Sequence, residues 1–441
     1  MGAFLLISEN SKGFNTESAL GVMKLQCGTE PARFNLGNWE LYIFPKLLLP
    51  WQKNYRIKED LALFVTGTPY IQGYSYIASL DILIGNIQIG KNTDKVKGHF
   101  FALIKNSKEL KFMTDESGIY SIYHLSDGTV LSSSFLALAE GLPVLNINTA
   151  AFLENILTGS IIGNETIFCE IKRFEPSIPF DFPGLNFIKP SNTSYESVHF
   201  KDRTQSIKAQ IEALDNCFKG LRNLADDYGI DSGITGGYDS RLLMAMCIRH
   251  FDSMKIQFHS HKRLNPDVDF IKGKELCKIT GINFVESPVR FISESAVKDI
   301  KKFMDEAMLF TDGQVRTHLF WHEDYNTAFY RINTLVDKKL GIGGIGGEQY
   351  RNQERLLPEM SLGLENWIRN RLIINYCGAE TLKNKILNDI VKHISDKLIR
   401  RIPFKKKGRI DLSEIKYYMQ EIFIPANRGL RSSFENRLSM F

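Results

Sequence analysis

The sequence predicts two parts of different class: a β-rich, antiparallel N-terminal part and an α/β C-terminal part built on a parallel sheet. Three observations predict this. Residues 1–170 carry short apolar runs with turn residues between them. Residues 229–286 alternate strand-like and helix-like segments. Between them, from about 172 to 205, lies "KRFEPSIPFDFPGLNFIKPSNTSYES", rich in Pro, Ser and Asn. That connection puts the boundary near 195 and the two parts at 1–195 and 196–441.

In chain order, "FFALIKN", "ELKFMTD", "GIYSIYHL" and "TVLSSS" read as strands. The turns "NSK", "DESG" and "SDG" separate them closely enough for hairpins. "FLALAEGLP" and "TAAFLENILTGS" read as short helices. A helix is expected over 202–226, where Ile207, Ile211, Leu214, Phe218 and Leu221 recur at helical spacing. Then follow strand 229–234, helix 239–250, strand 254–259, helix 267–280 and strand 282–286. From 290 onward the pattern is mainly helical, and no fixed-period repeat is present.

Composition narrows the class. Of 441 residues, 43% are hydrophobic and 24% charged, a mix that can bury a sizeable core. The net charge of +5 is too small to argue for nucleic acid as a partner. The six cysteines form no CxxC pair and no disulfide pattern, which fits reduced thiols in a cytoplasm. "MGAFLLISEN" lacks the basic start of a signal peptide, and no apolar run approaches the roughly 20 residues that span a bilayer. A cytoplasmic protein without a membrane partner is expected.

The stretch "ITGGYDSRLL" (234–243) falls between a predicted strand and a predicted helix. A parallel sheet binds ligands at the carboxyl ends of its strands. There, Gly236 and Gly237 free the backbone for close approach, and the N–H groups of the turn and helix start form an anion cradle. Thr235 and Ser240 add hydroxyl donors, and Arg241 adds positive charge. Asp239 in such a loop implies a cation between it and a phosphate, hence Mg²⁺. The plainer reading is a strand–helix turn capped by Asp239. The Walker A spacing is absent.

A second glycine cluster, "LGIGGIGGEQYRN" (340–352), has two readings. Gly341, Gly343 and Gly346 match GxGxxG, with Glu365 near the spacing of the ribose-binding acid. Alternatively Gly346, Gly347 and Glu348 form a second acid-bearing loop, with Arg351 in reach of a phosphate or carboxylate.

The first loop resembles the Ser-Gly-Gly-x-Asp-Ser pyrophosphate loop of the N-type ATP pyrophosphatases, with Thr235 in the place of the first serine. The second resembles the Gly-x-Gly-Gly-Asp-Glu loop of asparagine synthetases, with Glu348 in the place of the Asp and Gln349 of the Glu. "FMTDESGIYSIYHLSDGTVLSSSFLAL" (112–138), "LTGSIIGNETIFCEIKRFEP" (157–176) and "NPDVDFIKGKELCKITGINF" (265–284) extend the likeness in family order. The chain thus resembles the asparagine synthetase B-type family, in its β-lactam synthetase and lasso-peptide cyclase branch. The resemblance implies an N-terminal Ntn-hydrolase-like sandwich and a C-terminal adenine nucleotide α-hydrolase-like domain.

It also implies an activity: adenylation of a carboxylate by ATP and transfer to an amine. Asp239 and Glu348 would hold Mg²⁺, and Thr235, Gly236, Gly237, Ser240, Arg241, Gly346 and Gly347 the nucleotide, with Arg351 assisting. The chain departs from the family where glutamine-hydrolysing members carry Cys after Met1. Gly2 stands there, so no glutaminase activity is expected, and Cys27 cannot supply an N-terminal amine. The chain ends about where a late family segment would begin, so a shortened C-terminus is expected, with Lys405, Lys406 and Lys407 as candidates for its lysine. The substrates would be a small-molecule or peptide carboxylate and an amine. The competing reading is a catalytically impaired partner subunit, and a homo-oligomer or partner protein fits either. A tRNA-modifying role lacks the CxxC and the basic surface. His318 and His322, with Leu319 between them, do not make a zinc-protease motif.

Overall fold

The computed structural model describes residues 2–88, 95–178, 180–189, 200–262, 267–288, 301, 304–305, 308–309, 311–313, 339–343, 360–373, 383–423 and 437. The N-terminal strands are β1 (Ala3–Ser8), β2 (Ala32–Asn35), β3 (Trp39–Phe44), β4 (Tyr55–Lys58), β5 (Leu61–Gly67), β6 (Tyr70–Ile71) and β7 (Val96–Lys97). They continue as β8 (Phe100–Lys105), β9 (Leu110–Thr114), β10 (Tyr123–Leu125), β11 (Val130–Ser132), β12 (Ile171–Arg173) and β13 (Leu185–Phe187). One sheet runs β12-β10-β11-β1-β3-β2 and the other β13-β9-β8-β5-β4, while β6 and β7 form a small ribbon. All pairs in the first sheet are antiparallel; the second has one parallel pair, β13 with β9, at its edge.

Why β1 reads as an unbroken apolar run is visible in its two faces. Phe4 and Leu6 point into the space between the sheets, where the Phe4 ring stacks on Phe101 with centroids 3.9 Å apart. Ala3, Leu5 and Ile7 face α1 (Thr16–Cys27) and α3 (Phe135–Gly141). The second sheet does the same: Phe101 and Leu103 face inward, while Phe100, Ala102 and Ile104 face α2 (Tyr76–Gln88). Period-two side chains with both faces covered give four layers, helix–sheet–sheet–helix. Helix α4 (Thr149–Thr158) comes between α3 and β12 in sequence.

The predicted alternation is present in the second half. Helices α5 (Arg203–Gly220) and α6 (Arg222–Tyr228) precede β14 (Ile230–Gly233). Then come α7 (Tyr238–His250), β15 (Ile256–Lys262), α8 (Val268–Thr280), β16 (Asn283–Pro288) and, much later, β17 (Leu340–Ile342). These four strands are all parallel, in the order β16-β15-β14-β17. The helix expected over 202–226 is two helices. The break falls at Gly220, where a Cβ would stand 2.6 Å from Gln72 Cγ, and the Gly220 carbonyl accepts from Gly73 N–H at 3.2 Å.

The last described portion comprises β18 (Ser361–Gly363), α9 (Leu364–Trp367), wide helical turns over Ile368–Leu372, α10 (Asn384–Ile399), β19 (Arg409–Asp411) and α11 (Leu412–Tyr417). Its core includes Leu157 and Ile162, so α4 packs with this layer. A larger core is also shared across the connection. Leu80, Ile84 and Val65 belong to the same buried cluster as Ile230, Met244 and Phe258. Among the described residues, no helix is long and apolar enough to cross a membrane. The described cysteines are free thiols.

Candidate active site

Strand β14 ends at Gly233, and α7 begins at Tyr238, so Ile234–Gly237 form the turn between them. This is the carboxyl end of a strand where the sheet order reverses: β15 lies on one side of β14 and the much later β17 on the other. Such a switch point opens a crevice for ligands. The second glycine cluster starts inside β17, since Gly341 pairs opposite Asp231 and Ile342 opposite Ser232. Gly341 therefore sits in the strand rather than in the turn after it, which weakens the dinucleotide reading of 341–346. β14 and β17 are nevertheless adjacent and parallel, so their carboxyl ends lie side by side. Glu348, Arg351, Gly346, Gly347 and Gln349 lie outside the described residues, as do His318 and His322.

The first loop is knitted by its own hydroxyls. Thr235 N–H donates to Ser240 Oγ at 3.2 Å, the two hydroxyls are 3.0 Å apart, and Gly237 N–H donates to Thr235 Oγ1 at 3.0 Å. The glycines do not adopt left-handed backbone. They are small because of what presses on them. A Cβ on Gly236 would stand 3.3 Å from Asp269 Oδ1 and 3.4 Å from Lys272 Cβ, and one on Gly237 would meet Thr235 Oγ1 at 3.1 Å. As at any helix start, the first-turn N–H groups of α7 lack intrahelical acceptors and carry the positive end of the dipole, and no side chain caps them. Asp239 is half-buried in that first turn. Arg241 lies exposed one residue beyond Ser240, its guanidinium 4.5 Å from the centroid of the Tyr238 ring.

Helix α8 reaches the loop from the other side. Gly273 makes this possible, since a Cβ there would lie 2.9 Å from Ile234 O. Asp269, in the first turn of α8, accepts the Gly236 N–H at 3.1 Å. Neither residue stood out in the sequence, where both read as ordinary helix positions.

A buried polar network on β14 and β15 was also hidden. Asp231 is fully buried and accepts from Gln257 Nε2 at 3.0 Å; His259 Nδ1 lies 2.9 Å from the same oxygen. The strand register places all three on one sheet face, with His259 opposite Gly233 and its Nε2 3.6 Å from the place of a Gly233 Cβ. His259 stands inside β15, which runs on to Lys262, three residues past the predicted strand end.

Gly2 is buried at the start of β1, its N–H donating to Phe44 O at 3.0 Å. A Cβ there would stand 2.7 Å from Pro45 O and 3.2 Å from the Cα and O of Arg437. Arg437 itself is buried, donating from Nη2 to Ser133 O at 2.9 Å beside Asp312, whose carboxylate accepts the Phe135 N–H at 2.6 Å. A late residue of the chain thus packs directly against Gly2. Cys27 is no substitute nucleophile, because burial pushes its thiol up to about 11.

Another ionic cluster joins α4 to α10. Lys397 Nζ lies 2.5 Å from both Glu154 Oε2 and Glu165 Oε2, and His393 Nε2 lies 3.5 Å from each. The three metal-capable side chains Glu154, Glu165 and His393 converge here, but the Lys397 ammonium already stands between the carboxylates. Lys405 is likewise engaged, donating to Asp411 at 2.8 Å and Ser413 at 2.7 Å.

No protein-family model matches the chain, and no curated protein does. Among solved structures, the glutamine phosphoribosylpyrophosphate amidotransferase of B. subtilis, complexed with ADP and GMP, is similar at 13% identity. That match covers 67% of this chain and 68% of that one, with a TM-score of 0.24. The glutamine-dependent NAD⁺ synthetase of Acinetobacter baumannii, in complex with ADP, is similar at 11% identity over 93% of this chain and 96% of that one, with a TM-score of 0.21. Superpositions this loose carry no argument, so the site's own geometry has to.

Proposed function

We propose that this chain is an ATP-dependent amide ligase that forms AMP and pyrophosphate, of the asparagine synthetase type and without glutaminase activity. The observation that supports it is the position of Thr235–Ser240. This loop leaves the carboxyl end of β14 at the reversal of strand order and runs into the uncapped start of α7. The four-layer N-terminal part fits the Ntn-hydrolase type, and the parallel sheet fits the adenine nucleotide α-hydrolase type. We place the boundary between these domains near 195.

In this reading a substrate carboxylate attacks the α-phosphorus of ATP, and the bond to the β-phosphate oxygen breaks. Helix-start N–H groups of α7, with Thr235 and Ser240, hold the departing pyrophosphate. Arg241 and Arg351 add positive charge. Carboxylate oxygens are the donors Mg²⁺ prefers, and Asp239 stands at the loop, so Asp239 and Glu348 would hold the ion. The ion would neutralise charge on the leaving group. An amine then attacks the acyl-adenylate and releases AMP. Packed against Arg437, the Gly2 position offers no ammonia source, so the amine comes from solution or from the substrate itself.

The test is ATP–pyrophosphate exchange with a panel of amino acids and short peptides as carboxylates. Wild type should exchange, and Asp239→Asn should lose about 10²-fold or more, the scale of removing one electrostatic stabiliser. Formation of ADP and phosphate would overturn the reading. Tight ATP binding without turnover on any carboxylate would favour the partner-subunit reading instead.

A further inference from the structure

The Gly236 N–H is one of the groups that a phosphate would use, and a carboxylate already holds it. Asp269 Oδ1 accepts this N–H at 3.1 Å. The contact is built in by the packing of α8 rather than by a chance rotamer. Gly273 brings α8 against Ile234 O, and the Lys272 stem lies along Gly236. Lys272, one turn along the same helix, pairs its Nζ with Glu275 at 2.7 Å. Asp239 adds a second carboxylate in the first turn of α7.

We propose that Asp269 is a specificity-determining residue of the phosphate loop: it excludes bare polyphosphate anions and admits only those already complexed with a divalent cation. The inference rests on the nucleotide reading of this loop. A metal-free pyrophosphate must displace a like charge from Gly236 N–H, and this repulsion opposes binding. A magnesium-complexed one presents positive charge to the displaced carboxylate, so the same residue turns from a barrier into a neighbour of the ion. The loop then rejects free pyrophosphate and citrate-like anions while keeping its affinity for Mg–ATP.

The experiment is calorimetric titration of inorganic pyrophosphate and of ATP, each in EDTA and in Mg²⁺, into wild type and Asp269→Asn. Asparagine keeps a hydrogen-bond acceptor for Gly236 and removes the charge; Asp269→Ala serves as the second variant, and melting temperatures report the fold. The expected result is that Asp269→Asn binds metal-free pyrophosphate about tenfold more tightly than wild type, from the loss of one close like charge. The preference for the Mg²⁺ complex shrinks accordingly. An unchanged or weaker metal-free affinity in a folded variant overturns the inference, even where wild type binds Mg–ATP. If neither wild type nor variant binds either ligand with Mg²⁺ present, the nucleotide reading itself fails.

Discussion

Removing Lys397 should destabilise the protein more than any surface charge would. His393 and Lys397 stand one helical turn apart on α10 and face Glu154 and Glu165, two positive groups against two negative ones. Glu154 has no exposed surface, and its other oxygen already accepts the Ile162 N–H at 2.7 Å. Lys397→Met therefore leaves a buried carboxylate without its closest counter-charge, a change that typically costs about 3–5 kcal/mol. An isosteric apolar pair, Lys397→Met with Glu154→Met, should recover much of that loss, because the desolvation of both charges goes with them. The assay is urea unfolding read by tryptophan fluorescence, since Trp367 is buried in the core that this cluster closes. A loss under about 1 kcal/mol would put the cluster among solvated surface pairs and refute the argument.

Acid and base should erode the same cluster from opposite sides. The carboxylates of Glu154 and then Glu165, each 3.5 Å from Nε2, raise the His393 imidazole from the usual 6.5 to about 9. Its contribution is complete below pH 6.5 and is lost as pH rises through 9. The His393 imidazolium, assisted by the Lys397 ammonium, lowers Glu165 from 4.5 to about 2 against the opposing effect of burial. That contribution is complete above pH 4.5 and is lost as pH falls through 2. Unfolding midpoints should form a plateau between these limits, and His393→Gln should flatten the alkaline side alone. An alkaline limb that persists in His393→Gln would assign it elsewhere.

Two further substitutions test the close approaches. Gly2→Ala should cost about 1–3 kcal/mol in thermal or denaturant unfolding, because its Cβ would meet Pro45 O at 2.7 Å and the Arg437 backbone; Gly2→Cys should for the same reason gain no glutamine hydrolysis, and measurable ammonia release would contradict this. Gly273→Ala should destabilise although alanine favours helix by about 1 kcal/mol, since its Cβ would stand 2.9 Å from Ile234 O. A rise in melting temperature with unchanged ATP affinity would show that α8 has room to shift.

What the sequence revealed of this fold follows the range of the forces involved. Strands and helices from 229 to 286 were legible because period and punctuation are local, and the structure places them within one to two residues except at the β15 end. The turn between β14 and α7 was legible because Gly236, Gly237, Asp239 and Ser240 punctuate the sequence within one turn. Asp231 and His259 were not, since polar residues in a strand read as an exposed face until register sets them side by side. His393, Lys397 and Arg401 do recur at helical spacing, but their partners Glu154, Glu165 and Glu175 come from far earlier in the chain. The same distance hid the packing of Arg437 against Gly2.

These long-range contacts bear on what the N-terminal part is for. Were it an independent module that had merely lost a nucleophile, its outer faces would be polar and its contacts few. Instead the face of β5 and β8 that meets α2 shares one apolar core with β14 and α7, and Gln52 Nε2 donates to Tyr228 Oη at 2.5 Å beside it. α4 gives Leu157 to the C-terminal helical core and Glu154 to its ionic cluster. Cutting the chain near 195 would expose both cores at once and leave Lys397 facing no acid. The N-terminal sheets thus share one core with the sheet that carries Thr235–Ser240, and Gly2 is packed against Pro45 and Arg437. Separate expression of residues 196–441 tests this directly: it should yield aggregated or molten protein, whereas a cooperatively folding fragment would return the N-terminal part to the status of a free-standing domain.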